Sequence, residues 1–382
     1  MVASINPIPV SLYVHLPWCE KKCPYCDFNS HEVKGPTDFE SYIDCLILDL
    51  ANSLEDLNGR AVKSIFIGGG TPSLTPSTLI DKLVYSIKSM VNVGKNLEIT
   101  MEANPSSSEI NKFKEFRNAG INRLSIGVQS FNDHFLKQLG RIHTGVEARA
   151  AVNAANEVFD RVNIDLMYAL PGQDISAVKD DLGLAIGFGV GHISYYQLTI
   201  EPNTYFYKYT PKIPEDEVSY EMQELIGSSM YQSGLSRYEV SAFCRNGEKC
   251  DHNMNYWEFG DYLGIGAGAH SKITQGSSIR RSVRLKHPDK YINAISLGES
   301  AIQSSAEVKD HDRPLEFFMN ALRLVEGVDQ NLFSERACIS ERIIREQIDV
   351  AITRGLLVNS RSRFQPTELG INFLNDLLEI FC

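Results

Sequence analysis

The chain has 382 residues, 43% of them apolar, with 48 acidic against 37 basic side chains and a formal net charge of −11. That length and apolar content suffice for a large domain with a smaller companion, and the acidic balance excludes a general nucleic-acid binder, which needs a basic excess or stripe. No apolar run approaches the roughly 20 residues of a membrane span, and MVASINPIPV at the start has neither a basic region nor a long apolar stretch, so a cytoplasmic protein with reduced thiols is expected.

From residue 11 to about 200, short β-branched or aromatic runs alternate with longer segments of helical period, the pattern of successive βα units. Strands are predicted over SLYVHL (11–16), VKSIFI (62–67), LEITME (97–102), NRLSIGV (122–128), RVNIDLMY (161–168) and HISYYQLTI (192–200). Helices are predicted over 39–54, 77–91 and 145–158, where apolar residues recur near a 3.6 period. Six parallel strands with intervening helices make an α/β fold, as either an open doubly wound sheet or a barrel.

The first strand runs into HLPWCEKKCPYCDFN, where Cys19, Cys23 and Cys26 stand at a three-then-two spacing. A [4Fe–4S] cluster normally takes four thiolates, so a three-cysteine loop leaves one iron a position for a small molecule. A structural zinc would need a fourth donor, with His15 or His31 available in sequence. Eight cysteines over this length are too sparse for a disulfide framework. Cys45, Cys244, Cys250, Cys338 and Cys382 have no partner at ligand spacing and read as buried or incidental thiols.

The second strand ends in Gly68, Gly69 and Gly70, where side chains would block close approach of a ligand to the backbone. The Gly-Lys-Ser/Thr ending of a P-loop is absent. Glu102 and Asn104 follow the third strand, Gln129 ends the fourth and Asp165 lies in the fifth. In barrels the carboxyl ends of the strands carry the site, so these residues mark one mouth.

Beyond residue 205 the pattern changes to a loop, a helix begun by acidic residues and a glycine stop. CDHNMNYWEFGDY then sets His252, Asn253, Asn255, Tyr256 and Trp257 side by side. Such a cluster suits a planar apolar ligand with a metal centre, but the residue chemistry alone favours an aromatic anchor packed over the mouth. DYLGIGAGAH (261–270) has the offsets of a dinucleotide fingerprint without a strong preceding strand or a following acid, so a close-packing glycine loop is expected. From residue 311 three amphipathic segments and VNSRSRFQPTE form a small helical unit with a hairpin wing. Its last 53 residues hold six Arg, no Lys and seven Asp or Glu, so the electrostatic term for DNA is missing. The expected division is 1–240, a core barrel; 241–310, a connecting segment; and 311–382, a helical, winged-helix-like unit.

Nine segments, among them SLYVHLPWCEKKCPYCDFNSH, IFIGGGTPS, TMEANP, NIDLMYALPGQ, HNMNYWEFGDYLGIGAGAH and PLEFFMNALRL, resemble in order the HemW-type heme chaperones. These are radical S-adenosylmethionine (SAM) proteins related to the oxygen-independent coproporphyrinogen III dehydrogenases. The resemblance implies an incomplete (β/α)6 TIM-like barrel with a small C-terminal helical domain. It implies a [4Fe–4S] cluster on Cys19, Cys23 and Cys26, flanked by Tyr13 and Tyr25, with SAM on the open iron. Gly69, Gly70 and Thr71 would line the methionine end of SAM, and Glu102, Gln129, Arg141 and Asp165 would contact its amino, carboxylate or ribose groups.

For heme, His252 is the first candidate ligand, Tyr256 the second and Cys250 the third. The dehydrogenases carry a fourth cysteine where this chain has Phe28, and a longer extension before the cysteine loop than the 18 residues here. The implied function is therefore to bind heme and pass it to apo-heme proteins, respiratory ones above all, with at most peripheral membrane contact. A coproporphyrinogen dehydrogenase, and a radical SAM enzyme of methyl transfer or ring formation, stay open as alternatives, as does the cleavage of SAM.

Overall fold

The computed structural model describes residues 8–382; most of the N-terminal stretch read above for the absence of a leader lies outside them. Six strands follow one another in parallel: β1 (Val10–Leu16), β2 (Val62–Gly69), β3 (Val93–Ala103), β4 (Arg123–Gln129), β5 (Arg161–Tyr168) and β6 (His192–Gln197). In β1 every residue but Tyr13 is buried, as a parallel strand covered on both faces requires. The covering helices include α1 (Phe39–Asn52), α2 (Ser77–Met90), α3 (Gly145–Val158), α4 (Ile175–Gly187) and α5 (Asp216–Gln232). Local signals set their ends: Asp38 accepts from the Ser41 amide at the start of α1, and Thr144 with Glu147 forms a capping box on α3.

The sheet is larger than the six expected strands. β7 (Ser236–Glu239) and β8 (Ala242–Cys244) add antiparallel beyond β6, in the order β6-β8-β7. After helix α6 (Asp251–Trp257), strand β9 (Asp261–Ile265) lies parallel to β1 on its other flank, and β10 (His270–Gln275), β11 (Ser278–Arg284) and β12 (Ile302–Glu307) extend that edge antiparallel. The twelve-stranded sheet thus ends at β12 and β7, and the six-strand βα barrel is incomplete.

Residues 241–310 are not a connecting segment, because they supply β9 to β12. The glycine run 261–270 likewise begins as a strand. Its strand character was masked by Asp261, which is buried at the strand's start and neutralised there by Arg60 at 2.7 Å and Lys272 at 3.0 Å. The expected close packing is present: a Cβ on Gly264 would lie 2.1 Å from the His270 carbonyl oxygen.

Helix α7 (Pro288–Ser296) packs on α1. The C-terminal unit carries α8 (Arg313–Ala321), α9 (Asn331–Ala337) and α10 (Arg345–Thr353). Its core gathers Phe317, Phe318, Phe333, Phe364 and Phe381 and continues into Tyr238, Phe259 and Ile279 of the barrel edge. The wing is present: Val358 donates to Gln365, and Arg363–Phe364 pairs antiparallel with Val328–Asp329. The last predicted helix is broken at Phe373 into two short pieces, Glu368–Asn372 and Leu374–Glu379.

Candidate cofactor and ligand site

The cysteine loop leaves the end of β1 and is fastened at its root to the glycine turn after β2. The Gly70 amide donates to Leu16 O at 2.8 Å and the Thr71 amide to Trp18 O at 2.7 Å. Gly69 has φ +118°, and a Cβ there would stand 2.5 Å from the His15 ring; one on Gly70 would stand 2.5 Å from Trp18 O. These glycines therefore seat the turn against the loop's root as well as clearing the mouth. His15 Nδ1 pairs with the Tyr13 hydroxyl at 3.0 Å and Nε2 with Asn29 O at 2.9 Å, so His15 has no nitrogen left for a zinc. His31 packs edge-on against His287. Among the described residues no three His, Cys, Asp or Glu side chains converge on a point as the donors of one metal ion do.

The residues present fit an extended anionic cluster. Cys19, Cys23 and Cys26 are half-buried and free of disulfides. Burial raises the Cys19 and Cys26 thiols above the usual range, against hydrogen bonds from Thr71 and Ser30, so metal loading releases their protons. The compensating charge is in place. Arg141 Nη1 lies 3.6 Å from Cys23 Sγ, while Nη2 donates to Asn104 Oδ1 at 2.7 Å and Gly127 O at 2.8 Å, and Nε is buried without a partner. Tyr25, in the same loop, leans on Phe206, whose amide donates to Pro24 O.

The strand ends form the floor. Glu102 Oε2 accepts from the Gly69 amide at 3.0 Å; burial lifts its pKa to about 7, with Asp165 adding repulsion. Asp165, raised chiefly by burial, accepts from Ser125 Oγ at 2.9 Å and Asn163 Nδ2 at 2.8 Å. Gln129 ends β4 at φ +68°, beside an irregularity in the β4–β5 register. Thr71 Oγ1 accepts from Asn104 Nδ2 at 3.0 Å.

A cavity of about 760 Å³ opens over this floor, within the range of small-molecule sites. Tyr13, Cys26, Gly69, Glu102 and Tyr256 meet on its wall; Tyr25, Gln129, Arg141, Asp165 and His252 do not reach it. His252 is 2% exposed. Its ring stacks on Phe66 at 5.0 Å and stands edge-on to Tyr256 at 4.9 Å. Nδ1 pairs with Ser64 Oγ at 3.0 Å and Nε2 is buried without a partner. Burial lowers the ring's pKa to about 3.

Glu98 fixes the helix that carries both residues. This buried carboxylate accepts from the Asp251 and His252 amides, each at 3.1 Å, and pairs with Arg161 at 2.8 Å. Sequence reading missed that role, although an acid inside the apolar run LEITME is a visible signal. It also missed Tyr262, His270 and Lys286, which line the cavity.

A model of the Radical SAM superfamily matches residues 13–185, and one of the HemN C-terminal domain matches 308–373. The heme chaperone HemW of Haemophilus influenzae is 45% identical over 379 residues, 98% of each chain, and that of Escherichia coli is 43% identical over 375 residues, again 98% of each. This chain belongs to the HemW heme chaperone family. A HemW of Bacillus subtilis is 32% identical over 97% of this chain and 98% of its own. The fold is that of Escherichia coli coproporphyrinogen III oxidase (HemN), a radical SAM enzyme, with TM-score 0.84 and 22% identity over 99% of this chain and 91% of that one. As a radical SAM protein, this HemW-type chain has a [4Fe–4S] cluster and SAM as its cofactors.

Proposed function

We propose that this chain is a heme carrier: it takes heme into the mouth of the barrel and delivers it to apo-heme proteins, respiratory ones above all. The observation that carries this reading is Phe28. It is 57% exposed and lines the cavity together with Tyr256 and Tyr262, so the wall offers aromatic surface to a flat apolar cargo. Cys19, Cys23 and Cys26 hold the cluster, with Arg141 balancing its charge.

When bound, the cluster and SAM supply one-electron reductive chemistry at the sulfonium sulfur. The chain's part is to bind and orient. The Gly69 and Gly70 turn with Glu102 would receive the ammonium end of SAM; Arg141, Gln129 and Asp165, which lie behind the cavity wall in this structure, would turn toward its carboxylate and ribose on binding, and Thr71, Tyr13 and Tyr25 would pack the surrounding shell. Tyr256 offers its ring to heme with His252 braced behind it. The site of action is the cytoplasm, with contact at a membrane only peripheral; among the described residues no helix is long and apolar enough to cross one.

The test is anaerobic reconstitution with iron and sulfide, followed by heme titration in the visible range beside a turnover assay with SAM and coproporphyrinogen III. Saturable heme binding without protoporphyrinogen supports the carrier. Porphyrinogen product overturns it in favour of a dehydrogenase, and neither signal points to a radical SAM enzyme with another substrate.

A further inference from the structure

Two histidines line the cavity, His15 and His270. Both ring nitrogens of His15 are engaged, with Tyr13 and Asn29. His252 lies beneath the wall, behind Tyr256. His270 stands at the start of β10, exposed, in the same cavity as Phe28, Tyr256 and Tyr262. Among the described residues no hydrogen bond occupies its ring.

We infer that His270 is the side chain that meets the heme iron, and that Lys286 on the same wall pairs with a carboxylate of the cargo. The inference rests on the heme-carrier reading above. Imidazole is a common axial ligand of heme iron, and the neutral ring is the ligating form. Partial burial of the ring, with Lys286 and Arg281 nearby, lowers the His270 pKa from its ordinary value and favours the neutral form.

Heme is planar and apolar, with two carboxylates at one edge. The cavity answers each part: aromatic rings for the faces, an unengaged imidazole for the metal and an exposed ammonium for the carboxylates. Lys286 is held in this place from its backbone, since Lys286 O accepts from Asn29 Nδ2 at 2.9 Å and so ties the strand end to the cysteine loop. An exposed ligand also suits release, because an acceptor's own ligand can displace a histidine that stands at the rim.

The experiment titrates ferric heme into the full chain and follows visible absorption and electron paramagnetic resonance for the wild type, His270→Ala, His270→Cys and His252→Ala. His270→Ala is expected to weaken binding at least tenfold and to lose the histidine-ligated spectrum. His270→Cys is expected to give a thiolate-ligated spectrum, a gained signature that misfolding does not produce. His252→Ala, which removes the rival ring and the brace behind Tyr256, is expected to lower affinity yet keep the position of the histidine-ligated band. An unchanged spectrum in either His270 variant, or loss of the band in His252→Ala alone, overturns the assignment while the carrier stands. Failure of the wild type to bind heme saturably overturns the carrier reading and this assignment with it.

Discussion

The Gly69 amide donates to Glu102 Oε2 across 3.0 Å, which pins a buried carboxyl against the turn at the barrel mouth. Burial puts the Glu102 pKa at about 7, above its unfolded value. The group therefore favours the folded state at low pH, and that contribution is lost as pH rises through about 7. An ammonium bound here prefers the carboxylate, so the affinity for SAM is expected to rise with pH across the same range. Glu102→Gln is expected to flatten that dependence and weaken SAM binding about tenfold, or ~1.4 kcal/mol. Calorimetric titration of SAM into the anaerobic protein between pH 6 and 8 checks both, and an equal pH slope in the variant sinks the assignment.

Glu98 is the anchor of α6, and its replacement by Gln is expected to be costly. The variant leaves Arg161 and the buried Arg123 without their counter-charge. Breaking such a pair destabilises by roughly 3 kcal/mol, visible as a fall of several degrees in the thermal midpoint at pH 7. Burial works to raise the Glu98 pKa, but Arg123, Arg161 and the α6 amides prevail and hold it below the usual range. Its stabilisation is therefore complete above the unfolded value and vanishes as pH falls through the lower folded value. The gap between wild type and variant should close in acid; a gap that persists there contradicts the role.

Gly69→Ala tests the seating of the cysteine loop. The new methyl would meet the His15 ring at a residue whose φ of +118° already disfavours a side chain. Iron and sulfide content after reconstitution is expected to drop severalfold, measured per folded chain. Full incorporation would show that the loop's root tolerates displacement.

The three loop cysteines are expected to act as a set. Replacing Cys19, Cys23 or Cys26 by Ala should each abolish the broad absorption of the reconstituted cluster and with it tight SAM binding. Cys250→Ala should leave iron content unchanged, because that thiol is fully buried beside Glu98. Loss of the cluster in Cys250→Ala, or its retention in any loop variant, contradicts the ligand set.

The six βα units were legible because the central stretches of β1 to β6 are largely buried on both faces, which writes itself as apolar runs, and because residues such as Thr144 and Glu147 mark helix starts locally. β9 was not legible, since Asp261 owes its burial to Lys272 and Arg60, partners that lie far off in sequence or across a turn. The same holds at the site. Cys19, Cys23 and Cys26 announce themselves by spacing, and strand ends flag Glu102. Nothing in HNMNYW says that His252 would turn inward against Phe66 while Tyr256 turns outward. Nor does GAGAH say that its His270 would reach the wall: the first depends on α6 packing on β2, far back in sequence, and the second on how β9 and β11 carry β10 onto the flank of β1.

The pairing of β9 with β1 also constrains the order of assembly. β1, from which the cysteine loop springs, has one neighbour about 50 residues downstream and the other about 250. Closing so long a loop is entropically slow relative to joining β1 to β2. On the ribosome, the half-built sheet therefore waits with one flank of β1 bare until Asp261–Ile265 has emerged. Gly268 and Asn29 meet only after that, and Asn29 is what ties the cysteine loop to Ala267 and Lys286. The contacts that brace this side of the cysteine loop can therefore form only once the chain has been made as far as Lys286, long after the three cysteines themselves.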